Sequence, residues 1–189
     1  KNNILMANYW QFCNSYWGMI ANGFDGTQKT LYNLYYKRPN YYVFELYAKH
    51  FGDILIDTDV KCDSYEISDK KIPFLSVNAS KSADCKKLYL MVINKNMDNP
   101  ETTTIELKDF VPVKEGNAWV LNGPSVDATN EEKHDNVKIT HKTFEIASSP
   151  SAPRNDGSTK FEYTFEPHSL TAVEIERKPS ETCIKCIDI

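Results

Sequence analysis

The sequence predicts a mainly β fold, an antiparallel β-sandwich preceded by one strand-loop-helix unit of α/β type. Two patterns and a break carry this reading. Short runs in the second part of the chain alternate apolar and polar residues with period two, a single amphipathic helix pattern precedes them, and the composition changes abruptly near residue 52. The chain has 189 residues, the size of one domain or of one domain plus a fragment of another. Its hydrophobic share of 41% and charged share of 25% predict a packed core rather than disorder.

The first fifty residues hold 13 of the 23 aromatics, eight of them tyrosines, with five basic and two acidic side chains. Ile4 to Ala7 is a short apolar run expected to form a buried strand, leading into the aromatic stretch from Asn8 to Ile20. Gly23 and Gly26 mark a loop. Pro39 and Asn40 open a helix on which Val43, Leu46, Tyr47, His50 and Phe51 form an apolar stripe, and Gly52 is expected to stop it. Glu45 precedes Lys49 by four residues, the favourable order for a helical ion pair, which makes it a surface carboxylate rather than a catalytic one.

From Asp53 onward there are 17 basic and 24 acidic residues. Leu88, Leu90 and Val92 alternate with Tyr89, Met91 and Ile93; Ile105 pairs with Leu107 and Trp119 with Leu121; Phe161, Tyr163 and Phe165 alternate with Glu162, Thr164 and Glu166; Val173 and Ile175 follow. Such runs, bounded by Asn, Asp, Gly, Pro or Ser, read as antiparallel strands with one buried face, and seven or more of them make a sandwich. Ala147 to Ser158 reads as an exposed loop, and the tail after Arg177 as peripheral.

Composition also excludes functions. A net charge of -4 supplies no basic field for phosphates, so no nucleic-acid partner and no anionic membrane surface are expected. No run approaches the roughly 20 apolar residues of a membrane span, and the first residues carry no signal-peptide pattern. Nothing points to a compartment. The chain does not begin with Met, so an upstream segment is expected. That expectation has a physical side: one βα unit alone leaves an open sheet edge and much apolar surface in water, which calls for a partner such as the rest of a parallel barrel.

Four stretches, ANYWQFCN (Ala7 to Asn14), YYVFELYAKHFGD (Tyr41 to Asp53), LNGPSVDATN (Leu121 to Asn130) and PHSLTAVEIE (Pro167 to Glu176), together resemble the C-terminal third of α-L-arabinofuranosidases of glycoside hydrolase family 51. The resemblance implies residues 1–52 as the last βα unit of a (β/α)₈ barrel, with Ile4 to Tyr9 as the eighth strand and Tyr41 to Phe51 as the eighth helix. It implies 53–177 as a jelly-roll-like β-sandwich and 178–189 as a tail. It further implies a retaining glycosidase whose glutamate nucleophile and glutamate acid/base lie upstream of Lys1, so that no catalytic residue is in this chain and no cofactor or metal is required. The implied partners are the upstream barrel polypeptide, a carbohydrate substrate and, in a homo-oligomer, further copies of the chain.

Barrel sites form at the C-terminal ends of the strands, where the stretch after Ala7 would emerge. Gln11 occupies the position at which the family places a glutamine that hydrogen-bonds the arabinose unit. A side-chain amide suits sugar hydroxyls because it offers both donors and an acceptor without charge. Trp10 is expected beside it as a sugar-facing ring, with Tyr9, Phe12 and Trp17 as further aromatic surface, although core packing is an equal expectation for Trp10 and Trp17. Asn14 completes the substrate-binding set, or orients its loop. The family has smaller aliphatics where Tyr9 and Trp10 stand.

The remaining signals are structural in expectation. Cys183 and Cys186 form a CxxC without a second ligand pair and read as tail thiols; Cys13, Cys62 and Cys85 read as buried small hydrophobes. The four histidines, His50, His134, His141 and His168, show no metal-ligand spacing. Asn78-Ala79-Ser80 is a glycosylation triplet that matters only on a secretory route. Asp127, Glu131, Glu132 and Asp135 do not match a calcium loop and read as solvated. The alternative from another class is a non-catalytic β-sandwich module that binds carbohydrate or a protein partner through its aromatic arm.

Overall fold

The computed structural model describes residues 8–14, 17–24, 30–146 and 158–179. Along the chain it has β1 (Ile20–Phe24), β2 (Thr30–Lys37), α1 (Pro39–Lys49), β3 (Ile54–Ile56), β4 (Ser64–Ile67), β5 (Lys70–Pro73), β6 (Leu75–Lys81), β7 (Lys87–Asn94), β8 (Glu101–Leu107), β9 (Pro112–Asn122), β10 (Lys138–Glu145), β11 (Thr159–Phe165) and β12 (Ser169–Arg177). The predicted antiparallel β architecture is present.

Period-two alternation is cleanest in β11, which buries Phe161, Tyr163 and Phe165 and exposes Glu162 and Thr164. It pairs with β8, Phe161 opposite Ile105, to form a two-stranded layer. The second layer is a six-stranded antiparallel sheet in the order β10-β9-β12-β7-β6-β3. Leu88, Leu90, Val92, Ala118, Val173 and Ile175 of this sheet meet Leu107, Phe161, Tyr163 and Phe165 of the ribbon in one core. Each such large side chain contributes about 1.5–3 kcal/mol when fully buried. Toward β3 the layers part around a groove of about 1090 Å³ lined by Ile56, Leu75, Val77, Leu90, Ile105 and Phe165.

Burial departs from the single-face expectation in the middle of the sheet. Met91, Leu170 and Ala172 are buried on the face opposite the ribbon, where they pack with Leu46 of α1 and with Leu121. The helix covers that face, so β7 and β12 are buried on both sides. Trp119 and Leu121 share the helix side, while Ala118 faces the ribbon. Gly116 lies opposite Phe144 in the β9–β10 register, and a Cβ there would sit 2.4 Å from the ring's Cζ. The glycine makes room for a ring that packs on Phe161 and Tyr163.

The helix begins and faces inward as predicted. Pro39 occupies its first turn, where a missing N–H costs nothing, and Leu46 is its one fully buried residue, flanked by Tyr42, Val43, Tyr47 and Phe51. Glu45 and Lys49 form the expected ion pair. The helix ends at Lys49 with His50 as C-cap, ahead of Gly52. Gly52 serves another purpose: a Cβ at that position would lie 2.5 Å from the Lys81 carbonyl, so the glycine lets the chain pass close to β6, and its N–H donates to Ser80 Oγ at 2.9 Å.

Three further expectations are corrected or lie elsewhere. The long loop between strand and helix contains a hairpin, β1 against β2, with Gly23 inside β1. Ile4 to Ala7, nearly all of the 147–158 loop, and Cys183 with Cys186 lie outside the described residues; Asn8 and Tyr9, at the end of the expected strand, are exposed and extend no strand. Cys13 is exposed and Cys62 only partly covered, which leaves Cys85 as the buried thiol. Cys13 lies on a surface loop, out of reach of either core.

Candidate functional site

Two backbone bonds join the segment ahead of β1 to the start of that strand. Ile20 N–H donates to Phe12 O at 2.9 Å and Asn14 N–H donates to Ile20 O at 3.1 Å. The closure is tight at Gly18, where an added Cβ would stand 2.3 Å from Asn14 N. Asn14 Oδ1 accepts from Trp17 N–H at 3.0 Å, a side-chain bond that ties the two residues together. Tyr9 stands edge-on to Phe44 of α1, and its hydroxyl joins Trp17 O at 3.1 Å and the Asn40 amide.

Gln11, Trp10 and Asn14 therefore share one loop, and they divide by role. Gln11 is exposed with φ of 64°, a left-handed conformation uncommon for a residue with a side chain and enriched at functional sites. Trp10 is 74% exposed and Trp17 71%, so neither ring is packed into a core of this chain. Phe12, Tyr9 and Tyr35 are exposed as well. Asn14 is half-buried with its side chain engaged by Trp17. Exposed aromatic rings and one uncharged amide thus lie on the same short segment of the chain.

The loop is fastened by a residue without a sequence signature. Arg38, the residue before the helix, directs Nη1 to Asn14 O at 3.0 Å and to Gly18 O at 2.8 Å, while its Nε donates to Glu131 Oε1 at 2.9 Å. Its side chain is only 11% exposed. Glu131 lies in the β9–β10 connection, so the guanidinium joins the aromatic loop to the sandwich. Burial pushes the Glu131 carboxyl up, but the bonds from Arg38 and Thr129 outweigh it and hold the group below its ordinary range. Glu131 is exposed, as expected, and is also held in an ion pair. Next to it Asn130 is fully buried: its amide donates to Lys37 O and to Val137 O, both at 2.9 Å, and its Oδ1 accepts from Val137 N–H at 2.7 Å. Proximity in sequence reveals neither contact, because the Arg38 and Glu131 positions are 93 residues apart.

Three of the four histidines stack on aromatic rings, while the His168 ring nitrogens lie 2.8 Å from Met97 O and 3.2 Å from Gly123 O. His50 stacks on Trp119 with ring centroids 3.7 Å apart, and His141 stacks on the same indole at 4.8 Å. His134 stacks on Tyr36. Among the described residues no three His, Cys, Asp or Glu side chains converge as a metal site, and no helix is long and apolar enough to cross a membrane.

Comparisons with known proteins agree with the fold. A family model described as the α-L-arabinofuranosidase C-terminal domain matches residues 3–169. The fold is similar to an α-L-arabinofuranosidase from Thermotoga maritima solved with arabinose: TM-score 0.68 and 28% identity over 87% of this chain and 32% of that one. The thermostable family 51 enzyme from Thermotoga petrophila RKU-1 gives 0.67 and 29%, over 88% of this chain and 33% of that one. The family 51 enzyme from Bifidobacterium longum, at 17% identity and TM-score 0.58 over 77% of this chain and 27% of its own, shares the fold. The chain thus spans about a third of the length of the two Thermotoga enzymes. A search of curated proteins gives no significant match.

Proposed function

Because the chain belongs to the α-L-arabinofuranosidase C-terminal domain family, we propose that it is the C-terminal portion of a retaining glycoside hydrolase that releases terminal α-L-arabinofuranosyl residues from arabinose-containing polysaccharides or oligosaccharides. The match over residues 3–169 is the observation that carries this reading. The two carboxyl groups such a reaction needs, one as nucleophile and one as acid/base about 5–5.5 Å away, belong to the barrel polypeptide upstream. Residues 1–52 are the last unit of that barrel, and 53–177 are the accessory sandwich.

In this reading the chain's own share of the site is sugar binding. Gln11 offers its amide to the arabinosyl hydroxyls, Trp10 presents a ring face to the sugar, and Asn14 fixes the loop that sets their position. The exposure of Trp10, Phe12 and Trp17 supports it, because large aromatic faces left in water mark surfaces that meet a ligand or another part of the protein. Kinetics of the full-length protein on aryl α-L-arabinofuranosides test the assignment. Gln11→Ala is expected to lower kcat/KM by about tenfold or more, the loss of one or two sugar hydrogen bonds. Unchanged kinetics in a folded variant would remove Gln11 from the site.

A further inference from the structure

The fastening of the aromatic loop carries a second conclusion, which rests on the sugar-binding reading of that loop. We propose that Arg38 is a positioning residue for substrate binding, and that it acts by tying the Gln11 loop to the sandwich through Glu131. Three polar contacts on one guanidinium support it. Two of them hold the carbonyls of Asn14 and Gly18, both close after Gln11 in the chain. The third reaches Glu131 in the connection between β9 and β10. Arg38 also stands at the junction of β2 and α1, where its backbone N–H donates to Met19 O at 2.8 Å. Its backbone is thus fixed where the guanidinium leaves it.

Arginine is suited to this task and lysine is not, because the planar guanidinium spans several acceptors at fixed angles whereas an ammonium is a single mobile point. The sandwich end is equally fixed. Glu131 follows Asn130, whose three bonds lock the connection to Lys37 and Val137. The sandwich is therefore more than a cover for the barrel's flank: it supplies the carboxylate against which the substrate loop is held. A positioning error of about 1 Å at a sugar subsite costs up to about a hundredfold in rate, so a tether of this kind is read out in catalysis.

The test uses the full-length protein, with hydrogen exchange of the amides of residues 8–21 and kinetics on an aryl α-L-arabinofuranoside measured on Arg38→Gln, Arg38→Lys, Glu131→Ala, the Arg38→Gln/Glu131→Ala double variant and Gln11→Ala. The expected result is exchange about tenfold faster at the Asn14 and Ile20 amides in Arg38→Gln, with kcat/KM lowered about tenfold and partial recovery in Arg38→Lys. The double variant should be no worse than Arg38→Gln alone, since both changes cut one tether. Unchanged exchange in Arg38→Gln overturns the proposal, as does an additive double variant. Faster exchange with unchanged kinetics, while Gln11→Ala is impaired, also overturns it and leaves the sugar-binding reading intact. If neither Arg38→Gln nor Gln11→Ala alters the kinetics, the sugar-binding reading fails and the positioning role fails with it. Should Arg38→Gln not fold, the same comparisons are made on Arg38→Lys and Glu131→Ala.

Discussion

Leu46→Ala tests whether the helix and the sandwich are one cooperative body. Leu46 is 1% exposed and packs with Met91, Leu121, Leu170 and Ala172, so truncation empties the centre of the contact between α1 and the six-stranded sheet. Met91 and Ala172 face each other across the β7–β12 ladder, and hydrogen-bonded strands collapse poorly into a void. Only the unbranched Met91 side chain has the freedom to refill part of it. Leu→Ala at buried sites costs about 2–5 kcal/mol, and partial refilling places this site near ~3. For a chain of this size that lowers Tm by roughly 6–12 °C, at about 2–4 °C per kcal/mol. The assay is thermal unfolding followed both by far-UV circular dichroism and by tryptophan emission, since Trp119 lies in the same cluster. A fall of less than about 1 kcal/mol, or an emission transition that separates from the strand signal, would show that the helix is only loosely attached and would refute the reasoning.

Three other outcomes follow from named side chains. Asn130→Ala leaves the Lys37 and Val137 backbone groups without their partner, and is expected to cost about 2–4 kcal/mol by chemical denaturation, against less than about 1 kcal/mol for the half-buried Asn136→Ala. Tyr163 has a buried hydroxyl without a partner, and burial, with Glu166 adding to it, pushes its pKa up to about 12; Tyr163→Phe is expected to leave stability unchanged or to raise it by about 0.5–1 kcal/mol, and a clear loss would reveal a hidden partner. Burial also lowers the His50 pKa, because Glu174 at 3.7 Å is too far to hydrogen-bond and offsets burial only in part. The unfolded chain then binds the extra proton first, so this contribution is complete above the unfolded value near ~6.5 and is lost as pH falls toward the lower folded one. A Tm-pH profile between about pH 7 and 5 should be flatter in His50→Gln than in the parent, and coincident profiles would exclude the effect.

Much of the fold was legible because burial obeys local periods. β11 is a two-residue alternation from Phe161 to Phe165, and α1 shows its stripe from Val43 to Phe51, so pattern alone locates both. Met91 illustrates the limit. Its neighbours Leu90 and Val92 define a core face, and nothing in the run announces that a helix some forty positions earlier covers the other one. The β1–β2 hairpin escaped because its strands mix asparagine, tyrosine and a glycine without clear alternation, and β3 because three residues at a sheet edge carry no period. For the site, residues whose type matches sugar chemistry were visible in the sequence, whereas Arg38, Asn130 and Glu131 act through backbone carbonyls and a distant partner. Those contacts exist only once the β9–β10 connection folds over the end of β2.

The most direct measurement is the hydrolysis of 4-nitrophenyl α-L-arabinofuranoside by the full-length protein, with the anomeric form of the first sugar released followed by proton NMR. Release of arabinose that appears first as the α anomer is the predicted result, because a double displacement keeps the configuration. A folded full-length protein that leaves the substrate intact, or that releases the β anomer first, would contradict the proposed function.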